Sequence, residues 1–223
     1  LELSSLVLYV LTGYEKGRSL SAEAALKYFL VGSVAAAFTL YGMSLVYGWT
    51  GTTHLGEMAQ KVSGSSMGVA LWAGMVLMVV GFAFKVAAAP FHLWAPDTYE
   101  GAPTPSAALI ASGSKVAAFG VLARVLLMGW PQAAGSAGMA TWRPGWSTMV
   151  VALCVTSLLW GNLAALVQGN VRRLLAYSAV AHAGYGLLGL LANDRAGLAA
   201  LLYFVATYAL SVLGAFGVVA VVE

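Results

Sequence analysis

Three ionisable residues stand inside apolar stretches of this chain, where a charge is costly to keep. Lys85 and Lys115 lie in long apolar runs, and Glu2 lies in the apolar run that opens the sequence. Inserting a lysine or an aspartate near the centre of a membrane helix costs about 2.5–3.5 kcal/mol, so such residues usually mark an ion or proton path. A nearby carboxylate favours a charged lysine, and a dry pocket favours a neutral one. The set is suited to proton transfer, although a structural Glu2–Lys85 ion pair would give the same pattern.

The same three residues are predicted to lie at one depth in a membrane. Each stands ten or eleven residues from the end of its predicted helix on one face. At 1.5 Å per residue this separation is roughly 15 Å, which is half of a hydrocarbon core of about 30 Å. Lys115 also has a structural alternative, in which its ammonium group bonds to Ser112 or to backbone groups freed by a break in its helix.

Three further titratable residues are predicted at a shallower depth on the same side. By the same rise per residue, His92 lies about 5 Å, Lys27 about 8 Å and His182 about 10 Å from that face. Each has an ordinary alternative: Lys27 can pair with Glu23 four residues earlier, His92 can bond a carbonyl, and His182 can belong to a polar patch between helices. The candidate proton-carrying residues are therefore Glu2, Lys27, Lys85, His92, Lys115 and His182.

The composition is that of a protein with many membrane spans. Hydrophobic residues make up 61% of the 223 residues and charged residues only 9%, unlike the composition of soluble domains. The net charge of +3 includes no basic cluster, so nucleic acid is excluded as a partner. Cys154 is the only cysteine, which excludes a disulfide framework, a cysteine metal site and ligands for an iron–sulfur cluster. We expect no bound metal and no bound cofactor in this chain.

The apolar runs predict an all-α polytopic membrane protein, with residues 1–223 as a single transmembrane domain. We find no alternating strand pattern, so the backbone must satisfy its hydrogen bonds within helices. Six runs are long enough to cross a membrane and the first is too short, so we expect the chain to be the middle of a longer protein. The predicted helices cover about residues 1–13, 24–48, 67–95, 105–129, 147–167, 175–192 and 197–222.

The third predicted helix contains Pro90, which removes a backbone hydrogen bond and should kink or interrupt it. A polar loop is predicted before this helix. After it, Asp97, Tyr99 and Glu100 are predicted to form a solvated turn. If successive helices alternate, four basic loop residues fall on one side and three on the other. This excess favours the first side as cytoplasmic, and that side is named the inner face below.

The stretch around the break resembles a known family. Residues 90–105 read Pro-Phe-His-Leu-Trp-Ala-Pro-Asp-Thr-Tyr-Glu-Gly-Ala-Pro-Thr-Pro, which is similar to the antiporter-like membrane subunits of respiratory complex I, the NADH-quinone oxidoreductase. Within that group the sequence Pro-Asp-Thr-Tyr-Glu-Gly-Ala-Pro resembles that of the subunit N (subunit 2) branch. Residues 1–5, 23–29 and 170–182 agree with this branch, so the resemblance covers essentially the whole chain.

The resemblance implies an antiporter-like fold with inverted helix repeats and broken helices, in which central lysines carry protons. Glu2 and Lys85 would form a modulating carboxylate–lysine pair with Lys27 near them, Lys115 would be the central relay, and His92 would line the path. Such subunits contain no redox centre, so NADH, FMN, iron–sulfur clusters and quinone would be bound by other subunits. Partners would be a neighbouring antiporter-like subunit and the small membrane subunits of the same arm, in an energy-transducing membrane such as a bacterial plasma membrane.

The leading prediction is a proton-translocating subunit of NADH-quinone oxidoreductase. One rival is a subunit of a multisubunit sodium/proton antiporter. The sequence Tyr99-Glu100-Gly101 argues against this rival, and sodium-dependent transport would argue for it. The second rival is a structural scaffold subunit, whose buried charges only hold the helices of the membrane arm together.

Overall fold

The computed structural model describes residues 2–63, 68–138 and 142–223. Its regular elements are helices, and the one isolated bridge between extended residues in this part of the chain joins Ser136 to Arg143. In chain order the helices are α1 (Glu2–Thr12), α2 (Ser19–Thr50), α3 (Leu55–Ser63), α4 (Val69–Val86), α5 (Trp94–Gly101), α6 (Thr104–Ala111), α7 (Gly113–Arg124), α8 (Trp146–Leu166), α9 (Val171–Leu191) and α10 (Arg195–Val222). A π-helical turn at Val125–Gly129 extends α7, and a 3-10 turn follows at Pro131–Ala133.

The described part of the chain has six helices that are long and apolar enough to cross a membrane, as the sequence predicts. They are α2, α4, the combined α6 and α7, α8, α9 and α10. Helix α1 is apolar but shorter, which agrees with the predicted partial span. Leu1 and Met67, with which two of the predicted helices begin, lie outside the described residues.

The polar loop predicted between the second and third segments is wrong over its central part, because Leu55–Ser63 forms helix α3. This helix is amphipathic and buries Met58 and Val62. The indole nitrogen of Trp130 donates to the sulfur of Met58, and Lys61 donates to the carbonyl oxygen of Thr50 at the end of α2. The helix is only nine residues long, too short for its apolar period to stand out in the sequence.

The third predicted segment, 67–95, is not a single helix with a kink at Pro90. Helix α4 ends at Val86, where Ala87 takes a left-handed φ of 57°. The amide of Ala88 donates to the carbonyl oxygen of Ala83 at 2.8 Å, a hydrogen bond typical of helix C-termini. Lys85 therefore lies in the last turn of α4. The depth predicted for Lys85 was counted along a helix that continued to residue 95, and the structure has no such continuous helix.

The solvated turn predicted around Asp97, Tyr99 and Glu100 is also wrong, because these residues belong to helix α5. Tyr99 is fully buried, and its ring centroid lies 5.8 Å from that of Phe216 on α10. At the end of α5, a Cβ added to Gly101 would lie 2.5 Å from the carbonyl oxygen of Leu20. The chain thus continues into the bundle after the break. Its polar sequence hid this because Asp97 and Glu100 remain partly exposed while Tyr99 on another side of α5 is buried.

Close crossings between small residues hold the long helices together. At the crossing of α2 and α4, a Cβ added to Gly42 would lie 2.7 Å from the carbonyl oxygen of Gly74. At the crossing of α8 and α9, a Cβ added to Gly161 would lie 2.5 Å from the amide nitrogen of Ala181. Helices in a bilayer gain little from hydrophobic association, so close backbone packing of this kind is a main source of their affinity.

The fourth span is interrupted as well. Helix α6 ends at Ala111 and α7 begins at Gly113, with Ser112 between them at φ −106° and ψ −78°. The hydroxyl of Ser112 donates to the carbonyl oxygen of Ala108 at 2.7 Å, within its own helix. Lys115 lies two residues after the start of α7, so both central lysines stand next to a helix interruption.

Candidate proton-transfer site

The non-helical stretch after α4 is held in place by α8. The amide nitrogen of Ala89 donates to Ser157 Oγ at 2.8 Å. The hydroxyl of Thr156 lies 2.9 Å from the carbonyl oxygen of Ala89. The same hydroxyl lies 2.7 Å from the carbonyl oxygen of Ala152 within its own helix. Ser157 is fully buried. A buried backbone group without a partner costs about 1–3 kcal/mol, so these two side chains make the interruption of α4 possible within the bundle.

Lys85 reaches from the end of α4 to α1. Its Nζ lies 3.1 Å from Glu2 Oε2 and 2.5 Å from Ser5 Oγ. The side chain of Lys85 is 9% exposed and that of Glu2 is 33% exposed. Glu2 and Ser5 are three residues apart on α1, so they face the same way. The structure thus brings together the two residues that the family resemblance pairs.

A cavity opens beside this ion pair. Its volume is about 200 Å³, and its walls come from α1, α2, α4 and α7. The lining residues include Glu2, Lys85 and, on the helix that also carries Lys115, Val121. One water takes about 30 Å³ in the liquid, so this space is large enough for several waters next to the charged groups.

Lys115 is buried where α7 meets α9 and α10. It is 2% exposed, and its Nζ donates to the carbonyl oxygen of Ala179 at 2.6 Å. The same Nζ lies 5.5 Å from the ring centroid of Tyr208, within the range in which an aromatic face attracts a cation. The carbonyl on α9 replaces the Ser112 hydroxyl considered from the sequence, because Ser112 bonds within its own helix.

His182 is anchored on α9 next to Lys115. Its Nδ1 lies 2.8 Å from the carbonyl oxygen of Ser178. The same Nδ1 lies 3.3 Å from Ser178 Oγ. Because a carbonyl only accepts hydrogen bonds, the shorter contact assigns the hydrogen to Nδ1 and leaves Nε2 as the basic nitrogen. The ring centroid of His182 lies 4.9 Å from that of Tyr208. Lys115 and His182 thus bond to two consecutive carbonyls of α9, those of Ala179 and Ser178.

His92 lies in the stretch between α4 and α5 and is only 2% exposed. Its ring centroid is 5.9 Å from Trp160 on α8 and 6.3 Å from Tyr177 on α9. Neither ring nitrogen has a hydrogen-bond partner among the described residues. A buried polar group in this state is costly unless a water molecule bonds to it.

Lys27 forms ion pairs with Glu23 and Asp97. Its Nζ lies 2.6 Å from Glu23 Oε1 and 2.7 Å from Asp97 Oδ2. The Glu23 contact is the ordinary alternative foreseen from the sequence. The Asp97 contact forms because α5 carries Asp97 against α2 near the inner face, and a long lysine side chain extends toward polar partners there.

Asp97 belongs to an inner-face ion-pair network formed by Lys27, Asp97, Glu100 and Arg173. Arg173 Nη1 lies 2.8 Å from Asp97 Oδ1 and 2.9 Å from Glu100 Oε2. Burial acts to raise the pKa of Asp97, but hydrogen bonds from Lys27 and Arg173 outweigh burial and hold that pKa below its ordinary value. The network ties α5 to α2 and α9.

Sequence reasoning missed several side chains that complete the site. Ser5 could have been found, because it follows Glu2 by one helical turn. Thr156 and Ser157 carry a weaker signal, as two hydroxyls in an apolar span, and nothing in the sequence links them to Ala89. In residues 2–63, 68–138 and 142–223, no three histidine, cysteine or acidic side chains are grouped so that they could hold a metal ion.

The chain is similar to known proteins over its full length. Residues 1–223 match the family described as NADH:quinone oxidoreductase/Mrp antiporter, TM. NADH-quinone oxidoreductase subunit N 2 of Acidobacterium capsulatum is 55% identical over 222 residues, which cover 100% of this chain and 44% of that protein.

Solved structures agree with this match. A chain of respiratory complex I from Thermus thermophilus, with bound aureothin, superposes with a TM-score of 0.79 at 40% identity, over 96% of this chain and 43% of that one. A chain of the Mrp complex from Dietzia sp. superposes with a TM-score of 0.76 at 22% identity, over 89% of this chain and 35% of that one. The Mrp likeness shows the shared fold alone.

The chain spans less than half the length of the subunit N relative and of the complex I chain that it matches. The predicted fold class is confirmed: this is an all-α integral membrane protein whose structural neighbours are antiporter-like subunits. The resemblance noted in residues 90–105 is confirmed by the match over all 223 residues. The chain belongs to the NADH:quinone oxidoreductase/Mrp antiporter transmembrane family.

Proposed function

We propose that this chain is part of a proton-translocating membrane subunit of NADH-quinone oxidoreductase, and that its protons move while quinone is reduced elsewhere in the complex. The observation that carries the proposal is the Lys85–Glu2 pair, an ammonium group bound to a carboxylate where α4 stops, beside a cavity of about 200 Å³. The identity of 55% to a subunit N protein supports the assignment to this complex.

The two central lysines are bound by different kinds of group, which suits them to exchange a proton. A carboxylate binds Lys85, whereas a carbonyl oxygen and an aromatic face bind Lys115. When Glu2 moves away, the charged form of Lys85 loses its main stabilisation, so Lys85 releases a proton. Water in the cavity would take that proton toward α7, and a neutral Lys115 would accept it.

The other candidate residues have secondary roles in this proposal. His182 would accept a proton at Nε2, since Nδ1 already donates to Ser178. The buried, unpartnered ring of His92 would line the route beside the break. Lys27 would act at the inner face, where its ion pairs with Glu23 and Asp97 lie.

The assembly around the chain is also part of the proposal. Other subunits would bind NADH, FMN, the iron–sulfur clusters and quinone, and they would carry out the electron transfer. The partners would be a neighbouring antiporter-like subunit and small subunits of the same membrane arm. The setting would be an energy-transducing membrane, with a bacterial plasma membrane supported by the bacterial source of the relatives.

A sodium/proton antiporter subunit is the second candidate, because the family and the fold both include the Mrp antiporter. Identity favours the first candidate, at 40% to the complex I chain against 22% to the Mrp chain. Acidification that requires sodium, in the assembled complex, would favour the antiporter instead.

The function is tested by Lys85→Ala in the whole complex, with Lys16→Ala as a loop-lysine control. NADH oxidation and membrane acidification are measured together and divided by the amount of assembled complex. We expect both rates to fall at least about tenfold in Lys85→Ala, since removing a proton-transfer group commonly costs more than that, and to be unchanged in the control. Full rates at full assembly would exclude the proposal, and losses that only follow assembly would favour a structural scaffold.

A further inference from the structure

Tyr208 on α10 contacts both Lys115 and His182. Its ring centroid lies 5.5 Å from Lys115 Nζ and 4.9 Å from the imidazole centroid of His182. Its hydroxyl is buried and has no hydrogen-bond partner in the described part of the chain. The ring, and not the hydroxyl, is therefore what Tyr208 offers to its neighbours.

The ring matters to Lys115 because the ammonium group has few other partners. An ammonium has three hydrogen-bond donors, and the structure pairs one of them with the carbonyl oxygen of Ala179. The remaining charge is compensated by the negative face of the Tyr208 ring, an attraction that is strongest in a site without water.

The ring also packs against His182, whose Nδ1 is bonded to Ser178. The two ring planes lie at 33° with centroids 4.9 Å apart. Tyr185 and Phe204 pack against the same imidazole, each at 5.9 Å, so several rings share this contact, whereas the contact with the ammonium of Lys115 is made by Tyr208.

We propose that Tyr208 is a positioning residue for proton transfer at Lys115: its ring holds the ammonium of Lys115 against the Ala179 carbonyl of α9. This inference rests on the proposed function, because it assumes that Lys115 carries a proton. It adds a residue on a third helix, so α10 takes part in the transfer together with α7 and α9.

Phe204 provides a matched control on the same helix, one turn before Tyr208. Its ring also packs against His182, with centroids 5.9 Å apart and planes at 18°. The cation–π contact with Lys115 is made by Tyr208. The Phe204 ring also stacks on Tyr208, with centroids 6.5 Å apart. Loss of the Phe204 ring therefore removes an aromatic contact from both His182 and Tyr208, while the Tyr208 ring itself remains over Lys115.

The experiment measures NADH oxidation and membrane acidification per assembled complex for Tyr208→Phe, Tyr208→Leu, Phe204→Leu and Lys115→Ala. We expect Tyr208→Phe to keep at least about half of both rates, because it keeps the ring. Tyr208→Leu should lower both rates about tenfold, the order of effect of a desolvated cation–π contact. Phe204→Leu should stay within about twofold of the unchanged protein. If Tyr208→Leu does not assemble, Tyr208→Met, which keeps the side-chain volume without a ring, is measured and interpreted in the same way.

The outcomes separate this inference from the proposed function. Normal rates in Tyr208→Leu, or equal losses in Tyr208→Phe and Tyr208→Leu, would overturn the role of the ring. Equal losses in Tyr208→Leu and Phe204→Leu would show a general packing effect and would also overturn it. Normal rates in Lys115→Ala at full assembly would instead overturn the proton-carrying role of Lys115, and with it the premise of the inference.

Discussion

Replacing Ser157 by alanine tests how the interruption after α4 is held. The Oγ of Ser157 accepts the hydrogen bond of the Ala89 amide at 2.8 Å, and both residues are buried. The substitution removes one oxygen atom and introduces no larger group, so the main effect is a buried N–H group without its acceptor. Such a group costs about 1–3 kcal/mol.

This free energy predicts a local change in hydrogen exchange. If the intact hydrogen bond protects the Ala89 amide by about 1–3 kcal/mol, its loss should speed exchange by about 5- to 150-fold, at tenfold for each 1.4 kcal/mol. The assay is mass-spectrometric hydrogen exchange on the purified complex, followed in peptides that cover residues 86–93. Ser211→Ala is the control, because that hydroxyl is exposed and bonds to Thr207 of its own helix.

One result would refute this reasoning about the α8 contact. If exchange of the Ala89 amide stays within about twofold in Ser157→Ala, the serine does not hold the segment. Faster exchange of the same peptides in Ser211→Ala would show that the change is not local. With the expected result, we also predict lower NADH oxidation per assembled complex, since Lys85 and His92 border the segment that is loosened.

Two further predictions concern stability. Because hydrogen bonds from Lys27 and Arg173 hold the pKa of Asp97 below its ordinary value, the carboxylate stabilises the fold above about pH 4, and this contribution is lost as pH falls through the lowered pKa. The difference in Tm between the unchanged complex and Asp97→Asn should therefore be largest near pH 7 and narrow below about pH 4, and a difference independent of pH would contradict the ion-pair account. Gly42→Ala should lower assembly and Tm, at a cost of about 1–3 kcal/mol, because the new Cβ would lie 2.7 Å from the carbonyl oxygen of Gly74. Gly48→Ala on the same helix meets nothing within 4 Å and should be neutral, and equal effects of the two substitutions on Tm would exclude close helix packing as the cause.

The membrane spans were predictable because they depend on local composition. The length and hydropathy of each run decide whether a segment can cross a bilayer, and six such segments are found in the described residues. Helix α3 was not predictable in this way, since its burial depends on Met58 and Val62 meeting the bundle. Helix α5 was missed for a related reason: its proline and acidic residues are typical of a turn, yet Tyr99 on its other side is fully buried.

In the candidate site, the charged residues were predictable from the sequence and their partners were not. The cost of a charge in an apolar run singled out Glu2, Lys85 and Lys115, and that cost is a property of residue type and position in the chain. The partners of these charges were not contained in any local pattern. Ser5, the Ala179 carbonyl and the Tyr208 ring reach the lysines only through the way the helices cross.

The sequence by itself determined that this is a membrane-spanning helical protein, that it resembles the antiporter-like subunits, and which ionisable residues are costly enough to need an explanation. The tertiary structure alone decided where α4 stops, that Lys27 pairs with Asp97 of α5, and which carbonyls and rings surround Lys115 and His182. The physical reason is that insertion into a bilayer is governed by the composition of each segment. The pairing of buried polar groups is governed by contacts between segments far apart in the chain.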